Sequence, residues 1–230
     1  MPKREIGPSH YGPNGYMPSL KNGAGRPTES MLEQDFLVLL EFDPEVSRYG
    51  VQPIQIKWTP TGETARRYTP DVLVTYHPVA PDWRPKHPPT IYEVKPHEIL
   101  KRDWKILRPK FKAIMKWARS NGFRFKLITD KQIRGTYLKN ARFLLRFRSR
   151  YRTRNYELDI HRHVILRDAL HKIGSSTPAK LLEHVTRVPV QQRELIPTLW
   201  LLIIQEVILV DLHLPLTMNS MIWINKEKLP

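Results

Sequence analysis

Two short motifs hold the residues best suited to chemistry: Tyr68-Thr69-Pro70-Asp71 and Tyr92-Glu93-Val94-Lys95. Together they spell Pro-Asp, a spacer, then Glu-x-Lys, each part set among apolar residues. Asp71 runs into Val72-Leu73-Val74, which predicts a buried strand, where an uncompensated carboxylate is costly and calls for a metal or a cation. Alternate residues of a strand face one side, so Glu93 and Lys95 point together while Val94 points into the core. Two carboxylates can hold a divalent metal, and a neighbouring lysine can orient a water and stabilise charge on a phosphate, the parts phosphodiester hydrolysis needs. A cross-strand salt bridge on an exposed face would account for Glu93 and Lys95, but not for Asp71. The expected metal ligands are Asp71, Glu93 and the backbone carbonyl of Val94, hard oxygen donors that suit Mg²⁺, with Mn²⁺ able to substitute.

A third acid is expected from the helix that precedes these motifs, with Glu29, Glu33, Asp35, Glu41 and Glu45 in or near it. At about 100° per residue, Glu33 falls between Phe36, Leu37 and Leu40 in the middle of the apolar face. Asp35 points the other way and Glu41 lies at the border. Glu33 is therefore the expected ligand, directly or through water, and Glu41 the reserve.

The elements that must position these groups follow from punctuation and periodicity. Residues 1–27, rich in Gly, Pro, Ser and Asn, are expected to form a flexible arm. A helix starts at a cap, Thr28 or Ser30, and Asp43-Pro44 ends it near Phe42. Strands are expected over Tyr49 to Trp58, Tyr68 to Tyr76, Thr90 to Val94 and Phe125 to Thr129, with a loop at His77 to Pro89. Between the last two strands, Trp104 to Ser120 has helical spacing, with the helix proper expected to start near Pro109. This order gives a mixed α/β domain over 28–150. Residues 151–230 differ: helical stretches at about 157–173, 178–185 and 191–206 precede an alternating apolar tail from Val207 to Ile224. Three helices and a hairpin suggest a winged-helix-like domain.

Charge supplies the partner class. The chain has 38 Lys and Arg against 22 Asp and Glu, a net +16, so a polyanion is expected, and the interleaved aromatics favour nucleic acid. Between Lys101 and Arg154 there are nineteen basic residues against two acids, Asp103 and Asp130. Lys131, Arg134, Arg142, Arg146, Arg148, Arg150, Arg152 and Arg154 are the expected DNA contacts, and Arg146 to Arg154, if extended, would line its arginines along one edge. The absence of cysteine excludes disulfides, thiol catalysis and thiolate-held metals. The nine histidines form no zinc motif. The N-terminus lacks the apolar core of a signal peptide, and the longest apolar stretch, Leu199 to Val210, is too short and polar to span a bilayer. A soluble, cytoplasmic protein is expected.

In order, these residues resemble TnsA, the endonuclease subunit of heteromeric DNA transposition systems, including those associated with CRISPR effectors. The resemblance rests on Ser30-Met31-Leu32-Glu33-Gln34-Asp35-Phe36-Leu37 with Leu40-Glu41-Phe42, on the two motifs above with Pro96, and on Leu127-Ile128-Thr129-Asp130-Lys131 with Ile133. It implies a restriction-endonuclease-like N-terminal domain and a winged-helix-like C-terminal domain. It also implies a bacterial, nucleoid-associated enzyme that cuts the 5′ strands at transposon ends, while an integrase-type transposase (TnsB-like) cuts and joins the 3′ ends. The family's catalytic acids fall on Glu33 and Asp71 and its lysine on Lys95; some members carry Gln at the position of Glu93. The C-terminal domain is then expected to contact an AAA+ regulator (TnsC-like). Its tail, with Leu209, Leu212, Leu214, Leu216, Met218 and Ile222, suits a protein partner more than a phosphate backbone. Two alternatives are a stand-alone restriction- or resolvase-type endonuclease and a non-catalytic DNA-bridging scaffold.

Overall fold

The computed structural model describes residues 15–17, 19–22, 26–59, 64–79, 84–148 and 156–228. The chain divides into two compact units, Met1–Arg134 and Gly135–Pro230, so the domain boundary expected at 150 lies inside the second of them.

In the first unit, strands β1 (Gly15–Met17) and β2 (Arg26–Thr28) pair antiparallel ahead of helix α1 (Met31–Phe42). Part of the expected flexible arm is thus structured, and one carboxylate fastens its residues 19–21 to the helix. Glu41, buried near the end of α1, accepts from Ser19 Oγ (2.8 Å), the Leu20 and Lys21 N–H groups (3.1 and 3.3 Å) and the Tyr49 hydroxyl (2.9 Å). A buried carboxylate needs such donors.

The expected strand from Tyr49 to Trp58 is two. Strand β3 (Val46–Val51) ends at Gln52, whose φ of 48° turns the chain, and β4 (Ile56–Trp58) pairs instead with β5 (Arg66–Tyr68). The next expected strand also splits, because Thr69-Pro70-Asp71 separates β5 from β6 (Val72–Tyr76). Within the expected loop, β7 (Pro78–Val79) and β8 (Arg84–Pro85) form a small ladder. Then follow β9 (Thr90–Val94), α2 (His97–Arg102), α3 (Trp104–Ser120), β10 (Arg124–Ile128) and α4 (Asp130–Ile133). Helix α3 starts a full turn before Pro109 rather than at it.

The central sheet has the order β10-β9-β6-β3, with β9 and β10 parallel and the other pairs antiparallel. Both faces are covered, which is why every residue of β9 is buried and why it reads as continuous rather than alternating. On one face Ile91 packs with Phe111, Ile114 and Ala118 of α3 and with Ile56 and Tyr68 of the β4–β5 ladder. On the other, Tyr92 meets Phe36 of α1, ring centroids 4.9 Å apart. Asp35, expected to point away from the core, is buried instead and pairs with Arg134 at 2.7 Å. The salt bridge lets a carboxylate occupy that position.

The second unit opens with α5 (Thr136–Arg148), a helix the charge run concealed. Helix α6 (Tyr156–Ile173), strand β11 (Ser175–Ser176), helices α7 (Pro178–Val185) and α8 (Pro189–Ile204), and strands β12 (Ile208–Val210) and β13 (Ile222–Ile224) follow. The three strands form one antiparallel sheet in the order β11-β13-β12. The tail is strand only at its ends; Asn140 of α5 holds the connection between them by donating to the carbonyls of Leu212 and Leu214 (2.9 and 2.8 Å) and accepting from Leu216 N–H (3.2 Å). Of the six apolar residues noted in the tail, Ile222 is buried and Leu214 is exposed. No helix among the described residues is long and apolar enough to cross a membrane.

Ile114 is fully buried between α3 and the sheet. Ile114→Ala is expected to cost about 2–5 kcal/mol, measured by denaturant unfolding.

Candidate active site

Strand register brings the two motifs together. In the antiparallel β6–β9 pair, Val72 faces Tyr92 and Leu73 faces Ile91; one step further, Asp71 comes opposite Glu93. Alternation then puts Asp71, Leu73, Ile91 and Glu93 on the α3 face of the sheet. The Val94 N–H donates to Asp71 Oδ2 at 2.7 Å. Lys95 bridges the acids, its Nζ 3.3 Å from Glu93 Oε1 and 4.0 Å from Asp71 Oδ2.

Glu93 is held from the other side by residues that motif and spacing did not mark for this role. Lys110, on α3, places its Nζ 3.3 Å from the same Glu93 Oε1 and 4.6 Å from the centre of the Tyr68 ring. The Tyr68 hydroxyl donates to Glu93 Oε2. Glu93 is only 2 % exposed, so these donors replace water around a desolvated carboxylate. Nothing in the spacing distinguishes Lys110, one of several lysines on a basic helix. Tyr68 stands in the motif, but its aim is set by the β4–β5 ladder.

Gln52 steadies Asp71 from behind. Its backbone sits in the left-handed region, φ 48°, uncommon for a residue with a Cβ. In that conformation its N–H donates to the Asp71 carbonyl at 2.9 Å, and its side-chain Nε2 donates to Glu29 Oε1 at 2.7 Å.

Glu33 has a local role as well as a place near this site. Ser30 caps α1: Glu33 N–H donates to Ser30 Oγ (3.2 Å), while the Glu33 carboxylate accepts from Ser30 Oγ (2.9 Å) and Glu29 N–H (3.0 Å). This is a Ser-x-x-Glu capping box whose acid reaches one residue beyond the cap, and its spacing was visible in the sequence. The charge of Glu33 nonetheless acts on both Asp71 and Lys95. Glu41, the reserve, is occupied by the Ser19–Lys21 segment and Tyr49.

The electrostatics describe a site short of positive charge. Burial, then the charge of Glu93, holds the Asp71 carboxyl well above its ordinary value of 3.8, although Lys95 and the Val94 N–H pull it back. Burial raises Glu33 too, against the pull of its capping donors. Burial alone would lower Lys95; Asp71 and Glu93 outweigh it and keep the ammonium protonated. Among the described residues no three acid or histidine side chains gather closely enough to enclose a cation by themselves. The donor set still fits Mg²⁺, which usually takes one or two carboxylates and completes its shell with water and substrate phosphate.

The expected DNA contacts are spread over both units. Lys131 is exposed on α4, and Arg134 is bound to Asp35. Arg142 and Arg146 are exposed on α5, and Arg148 lies in its last turn. The run is therefore helical, not extended, through Arg148, with its cations at the helix C-terminus where the dipole favours them. Arg150, Arg152 and Arg154 lie outside the described residues. The Thr129-Asp130-Lys131 group serves the fold. Thr129 and Gln132 form a capping box on α4, and Asp130 accepts from His97 N–H (2.6 Å) at the start of α2.

Residues 43–130 match a family model described as TnsA-like endonuclease N terminal, and residues 132–212 match one described as TnsA endonuclease C terminal. The first match contains Asp71, Glu93 and Lys95, and the division between the two lies close to that between the compact units. No curated protein matches the chain.

A raised Asp71 value means that folded protein keeps a proton the unfolded chain releases. That contribution to stability is intact below 3.8 and is lost as pH rises through the raised folded value. Without metal, Asp71→Asn is thus expected to stabilise the protein increasingly as pH rises above 3.8, the difference vanishing toward acid. Thermal unfolding of both proteins across that range measures it.

Proposed function

Since the chain belongs to the TnsA-like endonucleases and carries both their N-terminal and C-terminal domains, we propose that it hydrolyses the 5′ strands at transposon ends during cut-and-paste transposition. The family implies nuclease activity, a divalent metal and work on DNA within a transposition complex. One observation carries the assignment to these residues: Asp71 and Glu93 lie opposite each other at the junction of two paired strands, and Lys95 spans them.

In this reading the first unit is a restriction-endonuclease-like domain, supported by the mixed sheet with α1 and α3 on its two faces. Asp71, Glu93 and the carbonyl of Val94 would hold Mg²⁺ or Mn²⁺, with Glu33 in a supporting part because its own oxygens already serve the cap. Bound metal would supply Lewis acidity, polarising the phosphate and making water a stronger acid. Lys95, kept charged by the two acids, orients the attacking water and offsets charge growing on the phosphate. Lys110 and Tyr68 fix the Glu93 carboxylate, so that its position does not have to be found during the reaction. The water oxygen bonds to phosphorus as one ester oxygen departs; the water gives up a proton and the departing oxygen takes one up, so one strand end keeps the phosphate and the other carries a free hydroxyl.

The second unit is read as winged-helix-like, supported by the sequence α6, β11, α7, α8, β12, β13 with one antiparallel sheet. An integrase-type transposase would make the 3′ cuts, and an AAA+ regulator would dock on the second unit. Exposed Val188, Val190, Leu214 and Met221 support a protein partner there.

The test is 5′-strand cleavage of labelled transposon-end DNA in Mg²⁺ by wild type and Asp71→Ala, each alone and with the transposase and AAA+ partner. Cutting that requires both Asp71 and the partners is the expected result, with the variant at background and still folded. Cutting by the lone protein would instead make it an independent nuclease. No cutting in any mixture would leave a scaffold, and full activity in the variant would refute the site.

A further inference from the structure

Helix α3 carries a second feature that catalysis does not use. Lys105, Arg108, Lys112, Lys116 and Arg119 are all exposed. At 3.6 residues per turn they fall within a fan roughly 80° wide, opposite the buried Phe111, Ile114 and Ala118. The helix contains no acid at all. Among the described residues none of the five side chains has a hydrogen bond or ion pair. A solvated surface helix ordinarily mixes signs, because like charges three and four apart repel and opposite ones support it. Here the repulsion is left standing, which makes sense if an external anion relieves it.

The anion that fits is a polyanion of regular pitch. From Lys105 to Arg119 the helix rises about 21 Å, the length of roughly six phosphate steps along one DNA strand. The same helix reaches the candidate active site, since Lys110 touches Glu93. The arc between is open to solvent at Ile106, which is 80 % exposed. A duplex lying on the stripe would therefore be held by a rigid element fastened to the carboxylate itself.

We propose that the outer face of α3 is a phosphate-tracking surface that holds duplex DNA flanking the cut and sets its register against Glu93 and Asp71. The inference rests on the nuclease reading for the identity of the polyanion, but its test reads binding and not cleavage. Duplex binding by the full chain would be followed by fluorescence anisotropy in Ca²⁺ over a salt series. Two proteins are compared with wild type: one with Lys105, Arg108, Lys112, Lys116 and Arg119 changed to Gln, and one with Lys57, Lys172, Lys180, Arg187 and Lys226 changed to Gln, which removes the same charge elsewhere.

The stripe variant is expected to unfold at or above the wild-type temperature, because the like-charge repulsion is gone, to bind at least tenfold more weakly near 0.1 M salt, and to lose about 3–5 from the slope of log affinity against log salt. The scattered variant should lose much less. An unchanged slope in the stripe variant would overturn the proposal, as it would if the face served an acidic protein. Equal losses in the two neutralised variants would overturn it in favour of net charge alone. Failure of metal-dependent cleavage with the stripe effect intact would defeat the nuclease reading and leave this surface standing.

Discussion

The antiparallel register of β6 and β9 is the constraint on which the rest of the first unit depends. It sets Asp71 against Glu93 on one face of a sheet covered on both sides, where neither carboxylate can be solvated as it would be in water. Two like charges so placed are unstable unless cations are brought to them. Lys95 and Lys110 answer that requirement in part, one from the end of β9 and one from a helix packed over it. Moving the register by one residue would turn Glu93 toward α1 and separate all four groups.

Around this centre the local geometry restrains each group separately. Gln52 accepts a left-handed backbone so that its N–H can hold the Asp71 carbonyl. The Ser30 capping box fixes Glu33 at the start of α1, close enough to influence Asp71 while its oxygens serve the helix. Asp130 ties the end of β10 to the start of α2, which steadies the chain just after Lys95. Preorganisation of this kind is what an electrostatic site needs, because groups already in place cost no rearrangement when charge develops.

The two units carry different surfaces. The first has cations on α3 facing solvent while the same helix packs its apolar side on the sheet. The second has a small sheet and exposed apolar side chains, among them Val164, Val188, Val190, Leu214 and Met221. A chain that meets both a polyanion and a protein partner would be expected to separate such surfaces, since phosphates and apolar partners are recognised by opposite chemistry.

The sequence by itself brought out the candidate residues: Pro-Asp and Glu-x-Lys place two carboxylates and a lysine on or at the ends of strands, because alternation and β-branched neighbours act locally. It also determined three of the second unit's helices, α6, α7 and α8, since Gly174 follows the first and Pro178 and Pro189 open the other two. Local rules failed where a distant partner decided the outcome. Asp35 looked outward by helical angle alone, yet Arg134 lets it be buried. Residues near Ser19 looked like part of a loose arm, yet Glu41 draws them in. Helix α5 was concealed by its charge, and the 49–58 strand was broken by a backbone turn at Gln52 that propensity does not forecast. Tertiary structure alone chose Lys110 among the lysines of α3, because only the packing of that helix on β9 decides which ammonium reaches Glu93.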